Sequence, residues 1–298
     1  MGVILGMTGA VCWGLADFAA RFASRRVGAY RTLLFMQFFG FLALTVYLKW
    51  TGDFFRSVAP GWRPWVFAII AGLINVVASL SLYHSFEVGV MSIVAPVSSC
   101  YPALTVTLAL ASGERIHALR AAGLAITFFG VILAATSFAP VKSEAPPGAG
   151  SDGTQTSGAH LSKGVVRAIL AAVGFGFLFW FLGFHVVPLV GSAVSVWVMR
   201  LTALVSLSIA ALPLRQSIRM PRGGVWWLLV AVGLMDTSAF VANNAGLRIG
   251  PVSVVSVLAS LYGAVTVLLS WIFLRERLER SQWLGIVLIF SGIVCVSI

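Results

Sequence analysis

Asp17 and Asp236 stand inside stretches of sequence that are otherwise almost wholly apolar. A carboxylate in such surroundings is costly, and it marks a place where a proton is taken up or a cationic group is held. Asp17 lies four residues before Arg21, the spacing of an ion pair on one helical face, so a local pair and a proton- or cation-binding role both stand. Arg200 is the one basic residue well inside an apolar run. Paired with Asp236, it would neutralise two buried charges and join neighbouring helices. Unpaired, Asp236 would be a second proton site and Arg200 an anchor for a carboxylate.

Tyr83 and His84 close one apolar run and Asn243 and Asn244 close another, a density of polar groups that suits a lined cavity better than contact with lipid. His84 could titrate near neutral pH or serve as a donor between helices. Trp13, Trp180 and Trp197 lie away from the ends of the apolar runs and could form an aromatic wall; the other seven tryptophans sit near the ends, where an interfacial belt is expected. Cys12, Cys100 and Cys295 lie far apart, without metal-ligand spacing, and read as buried free thiols. There is no HExxH, no GxSxG and no phosphate-binding GxxxxGK[ST], and the four histidines are scattered. No enzyme chemistry, metal or cofactor is called for.

The elements carrying these residues are duplicated. "GVMSIVAPVSSCYPALTVTLALASGERI" begins at Gly89 and "GPVSVVSVLASLYGAVTVLLSWIFLRERL" at Gly250; nine of the first 21 aligned positions are identical, at an offset of 161. The same offset sets Trp65 on Trp226, Gly72 on Gly233 and Ala78 on Ala239, and an offset of 162 sets "GLAITFFG" on "GIVLIFSG" and Trp13-Gly14 on Phe175-Gly176. Tyr101 and Tyr262 are equivalent, with Ser99 and Ser260 retained beside them.

Hydropathy places helices near 2–22, 29–49, 65–86, 90–112 and 118–139, then near 164–187, 192–213, 224–247, 251–274 and 282–298. The expectation is an all-α integral membrane protein with ten transmembrane helices in two five-helix repeats, residues 1–139 and 164–298. The Pro-, Gly- and Ser-rich stretch 140–163 reads as a flexible linker. Five is odd, so the second copy enters the membrane the other way up. Such inverted repeats place a binding site near the midplane between the halves, where both tyrosine–serine pairs would meet. Pro96 and Pro102 are expected to kink the fourth helix, and Gly123/Gly130 with Gly285/Gly292 to join the fifth and tenth.

Composition agrees. Of 298 residues 59% are hydrophobic and 10% charged, too few charges to cover a water-facing surface. The net charge of +11 does not imply nucleic acid, because the basic residues cap apolar runs and read as contacts to lipid headgroups. The first run is too long for the core of a cleavable signal and lacks a basic leader, so it is expected to be a permanent helix.

"WGLADF", "GERIHALRAAGLAITFFGVILA" and "RERLERSQWLGIVLIFSGIVCVS" resemble the drug/metabolite transporter superfamily, EamA type, over nearly the whole chain outside the linker. The resemblance implies two inverted five-helix units and a proton-coupled or exchange-type carrier of small metabolites, with both termini cytoplasmic. Charge bias points the other way, with thirteen Lys and Arg on the side of the 1–2 connection against six opposite.

The expected activity is secondary active transport of a small organic solute, an amino acid or related metabolite moved outward, by alternating access. The expected setting is a bacterial inner membrane, as monomer or homodimer. Tyr101, Tyr262, Ser99, Ser260, Trp13, Tyr83, His84, Asn243, Asn244 and Arg200 are the candidate substrate-binding residues, and Asp17 and Asp236 the candidate proton-coupling pair. A channel or lipid scramblase is the alternative, a membrane-embedded enzyme the more distant one.

Overall fold

The computed structural model describes residues 1–52, 54, 58–89, 91–135 and 164–274, and, in the last span, 283–285, 287–288, 291–292 and 295. The expected linker, 140–163, lies outside the described residues, as do 136–139 of the expected fifth helix.

The regular elements of the described chain are all helices, without a strand among the described residues. Three long helices, α1 (Gly2–Val27), α2 (Ala29–Thr51) and α3 (Arg63–Val88), precede a span in two pieces, α4 (Met91–Ser98) and α5 (Pro102–Ala111), and then α6 (Ala118–Ala135). The second half repeats this order: α7 (Val165–Phe181) runs through a π-helical turn, Leu182–Val186, into α8 (Val187–Val190); α9 (Ser192–Ala211) and α10 (Val225–Ile249) follow; α11 (Val252–Ala259) and α12 (Tyr262–Leu274) again share one broken span. The π turn lies just before Pro188, whose ring cannot fit a regular helical ladder. The described residues of the last span are helical.

Seven segments among the described residues are long and apolar enough to cross a membrane, and Pro102–Ala111 and Ala121–Gly130 are shorter apolar helices. Val77, Ile209 and Phe129 stand exposed on them, as a lipid-facing surface allows. The helices run slightly longer than hydropathy implies, α1 reaching Val27, because apolar runs stop where charge begins whereas backbone hydrogen bonding stops at Gly28. Gly28 and Gly191 take nearly the same turn, φ 86° and 85°, a region open to glycine, so the first two helices of each half are joined alike.

Both broken spans break at the tyrosine. The turns at Ser99–Tyr101 and Ser260–Leu261 are closed by bonds three residues back, such as Tyr101 N–H to Ser98 C=O (3.4 Å) and Leu261 N–H to Leu258 C=O (3.2 Å). Pro102, which cannot donate, starts α5 rather than kinking a continuous helix.

Packing between the halves is reciprocal. Helix α1 lies on α10 and α12 as α7 lies on α3, α4 and α5, and α2 meets α9 across the middle. The Thr266 hydroxyl donates to Gly14 C=O (3.3 Å), and its repeat equivalent Thr105 donates to Gly176 C=O (2.8 Å). A Cβ on Gly14 would stand 2.5 Å from Val265, and one on Gly176 2.8 Å from the Tyr101 carbonyl. Small residues at these crossings let the backbones touch. Gly292 lies against Gly123 and Thr127, the expected meeting of the fifth and tenth spans.

Candidate functional site

A cavity opens between the halves beside the two helix breaks, lined by Trp13, Asp17, Ser79, Leu82, Tyr83, Tyr101, Phe175, Phe179, Asp236, Phe240 and Tyr262. Eight of these eleven form four repeat-equivalent pairs: Trp13/Phe175, Asp17/Phe179, Ser79/Phe240 and Tyr101/Tyr262. Equivalent residues of the two halves therefore meet around the cavity. Of the three unpaired members, Asp236, Leu82 and Tyr83, the last two draw it toward the end of the bundle where α3 finishes. Room for the centre of a water-sized molecule is about 30 Å³, enough for about two waters.

The wall is mostly ring. Trp13 meets Phe179 and Phe240 at centroid distances of 5.4 and 5.0 Å, and Tyr101 meets Phe179 at 4.8 Å and Tyr262 at 6.4 Å. Each tyrosine ties down the other half: Tyr101 donates to the Ser256 carbonyl (2.9 Å), Tyr262 to the Ser98 hydroxyl (3.0 Å). Tyr83 donates to the sulfur of Met36 (2.8 Å).

The two acids differ. Asp236 accepts from Trp13 Nε1 (3.0 Å) and from a terminal guanidinium nitrogen of Arg200 (2.5 Å). Arg200 also donates to Gln37 Oε1 (2.5 Å) and lies over the Phe240 ring at 5.1 Å. All three polar side chains are buried, and the pairing of Arg200 with Asp236 takes the geometry of an interhelical tie. Asp17 has no hydrogen-bond or ion-pair partner among the described residues. The Asp17–Arg21 pair allowed by spacing is not formed; Arg21 instead lies 6.0 Å from the Phe22 ring.

Of the residues singled out from sequence, Trp13, Asp17, Tyr83, Tyr101, Asp236 and Tyr262 line the cavity, and Arg200 stands directly behind it. Ser99 and Ser260 are buried at the helix breaks rather than in the lining; Ser260 donates to Val257 C=O (2.7 Å). His84 faces away, 3.3 Å from Glu87 and partly exposed. Asn243 and Asn244 are fully buried toward the other end: Asn244 donates to Ser195 (3.0 Å), while both polar atoms of Asn243 and the Asn244 oxygen lack partners. Trp180 and Trp197 bond to Ser112 and Thr45, each at 2.8 Å, outside the cavity wall. Sequence reasoning missed Phe175, Phe179, Phe240 and Leu82 as lining; the repeat alignment of Trp13 with Phe175 was the one available signal.

Helical spans enclosing a small, part-charged cavity between two like halves define a membrane transporter of small solutes. The chain belongs to the EamA-like transporter family, in the drug/metabolite transporter superfamily: residues 1–136 and 162–298 each match it. An uncharacterized protein of Methanocaldococcus jannaschii is 29% identical over 136 residues, which is 45% of this chain and 96% of that protein, so the relative is about the length of one half. A solved crystal structure shares the fold with a TM-score of 0.72 at 18% identity, over 99% of this chain and 96% of that one.

Proposed function

We propose that this protein is a secondary active carrier that moves a small organic solute across a cytoplasmic membrane by alternating access. The two halves, 1–139 and 164–298, are five-span units of opposite orientation, ten spans in all, and the solute binds in the cavity between them. One observation carries this reading: four repeat-equivalent pairs meet around one cavity. A site on the axis of an inverted repeat is equally reachable from both faces if the halves exchange conformations. Tyr101, Tyr262, Trp13 and Tyr83 contact the solute, and Asp17 exchanges the coupled proton. The charged and titratable groups around Asp17 are Asp236, Arg200, Tyr83, Tyr101 and Tyr262. Asp236 is held by Arg200 and contributes chiefly by fixing Trp13.

A thermal-shift screen of detergent-purified protein against amines, amino acids, sugars and carboxylates identifies the solute, because a ligand of the folded state raises its stability. The expected result in proteoliposomes is saturable counterflow of that solute; flux without exchange would mark a channel instead. Reporter fusions showing both halves in the same orientation would end the carrier reading. Asp17→Asn is expected to abolish pH-driven flux while leaving exchange measurable, and pH-driven flux that survives it would remove the coupling role.

A further inference from the structure

We infer that the cavity recognises an organic ammonium group, a protonated amine or quaternary ammonium, held between the Asp17 carboxylate and the ring faces of Trp13, Phe179 and Tyr101. This deepens the carrier reading and rests on that cavity being the solute site. Asp17 is 5% exposed, borders the cavity and has no partner among the described residues. With Asp236 matched by Arg200, the ionised cavity keeps one uncompensated negative charge. Among the described lining residues no cation awaits an anion: Arg200 lies outside the lining, with its two terminal nitrogens on Asp236 and Gln37.

The rings decide what kind of cation fits. Seven of the eleven lining residues are aromatic, so the walls present electron-rich faces rather than oxygens. Small inorganic cations of the hard class need several oxygen ligands, and the Tyr101 and Tyr262 hydroxyls are already directed at Ser256 and Ser98. A weakly hydrated, methyl- or methylene-bearing ammonium is attracted to aromatic faces and satisfies the one free carboxylate. With a neutral solute only the coupled proton could neutralise that carboxylate. The room here, about two waters, is smaller than a trimethylammonium head, so the cavity must widen as the halves part to admit it.

The test uses the full chain in detergent and three probes of one shape: choline, the neutral alcohol in which carbon replaces its nitrogen, and the matching carboxylate, tert-butylacetate. Calorimetry and thermal unfolding are expected to show saturable binding of choline and none of the other two. Asp17→Asn should weaken choline about tenfold or more, and Phe179→Leu, which keeps an apolar wall but removes a ring, about threefold or more. If Asp17→Asn does not yield folded protein, the Phe179→Leu comparison and the three-probe series on the unaltered chain still decide. Equal binding of the neutral or anionic probe, or choline affinity unchanged in either variant, overturns the inference. Saturable counterflow of a neutral or anionic solute with no choline binding would keep the carrier and remove the ammonium site. Choline binding without counterflow of any solute would do the reverse.

Discussion

Tyr101 and Tyr262 stack with ring centroids 6.4 Å apart and planes within 11° of parallel, although they lie 161 positions apart in the chain. Each hydroxyl bonds to the broken span of the opposite half. The pair is thus both cavity wall and cross-brace. Tyr101→Phe and Tyr262→Phe, which keep the ring, should each lower stability by about 1 kcal/mol while sparing solute affinity. Thermal unfolding and binding titration on the same preparation separate the two effects. A large loss of affinity with unchanged stability would show that the hydroxyls face the solute instead.

Arg200 and Asp236 form a buried ion pair. Removing one partner leaves an uncompensated charge, so Arg200→Met or Asp236→Leu should each cost about 3–5 kcal/mol. The double variant Arg200→Met/Asp236→Leu should recover most of that loss. A double-mutant cycle by denaturation checks it; additive losses would contradict the pairing.

Glu114, in the connection after α5, accepts the backbone N–H groups of Val252 (2.8 Å) and Ser253 (3.1 Å) and bonds the Ser253 hydroxyl, closing the N-terminus of α11. Glu114→Ala should cost about 1 kcal/mol, the usual worth of a helix cap. Hydrogen exchange at Val252 and Ser253 should quicken about fivefold, with the amides of α10 unchanged.

At Gly233 a Cβ would meet the Met36 carbonyl at 2.6 Å, a backbone group that cannot swing aside. Gly233→Ala is expected to cost about 2 kcal/mol or more through overpacking. Gly224→Ala meets nothing within 4 Å and should be neutral. Yield and melting temperature of the two variants give the comparison.

Alternating access makes a prediction for residues now hidden. Leu82 and Tyr83 line the cavity here, and their repeat equivalents Asn243 and Asn244 are buried, with polar atoms lacking partners. When the halves exchange roles, the asparagines should become the lining. With Cys12, Cys100 and Cys295 replaced by Ala, single cysteines at 82 and 243 should react with a membrane-impermeant thiol reagent from opposite faces. Reaction of both from one face would refute the exchange.

The duplication was legible because identities such as Gly89/Gly250 and Tyr101/Tyr262 recur at one offset, and it led directly to the tyrosine pair; Trp13 was legible from its place away from the ends of the apolar runs. Asp17, Asp236 and Arg200 were legible because charge is rare in apolar runs. Phe175, Phe179 and Phe240 were not, because a phenylalanine facing a cavity and one facing lipid look alike among 21 of them. His84 shows the converse: it adjoins Tyr83, but neighbours in a helix point about 100° apart, so it faces Glu87 while Tyr83 faces the cavity. Kinks were expected at Pro96 and Pro102, but α4 runs through Pro96 to Ser98 and the break falls just before Pro102; α11 breaks equally at Ser260 without a proline, so the ring of Pro102 is not required for it.

Asp17 has Phe179 as its counterpart, and Asp236 has Asn75. Two separate, identical polypeptides meeting at such an axis would present every ionisable group twice, so their shared chamber could hold only an even tally of like charges. Joining the copies end to end lifts that parity rule. One copy can then keep an acid that the other discards, and a chamber with a single unmatched charge becomes available to natural selection.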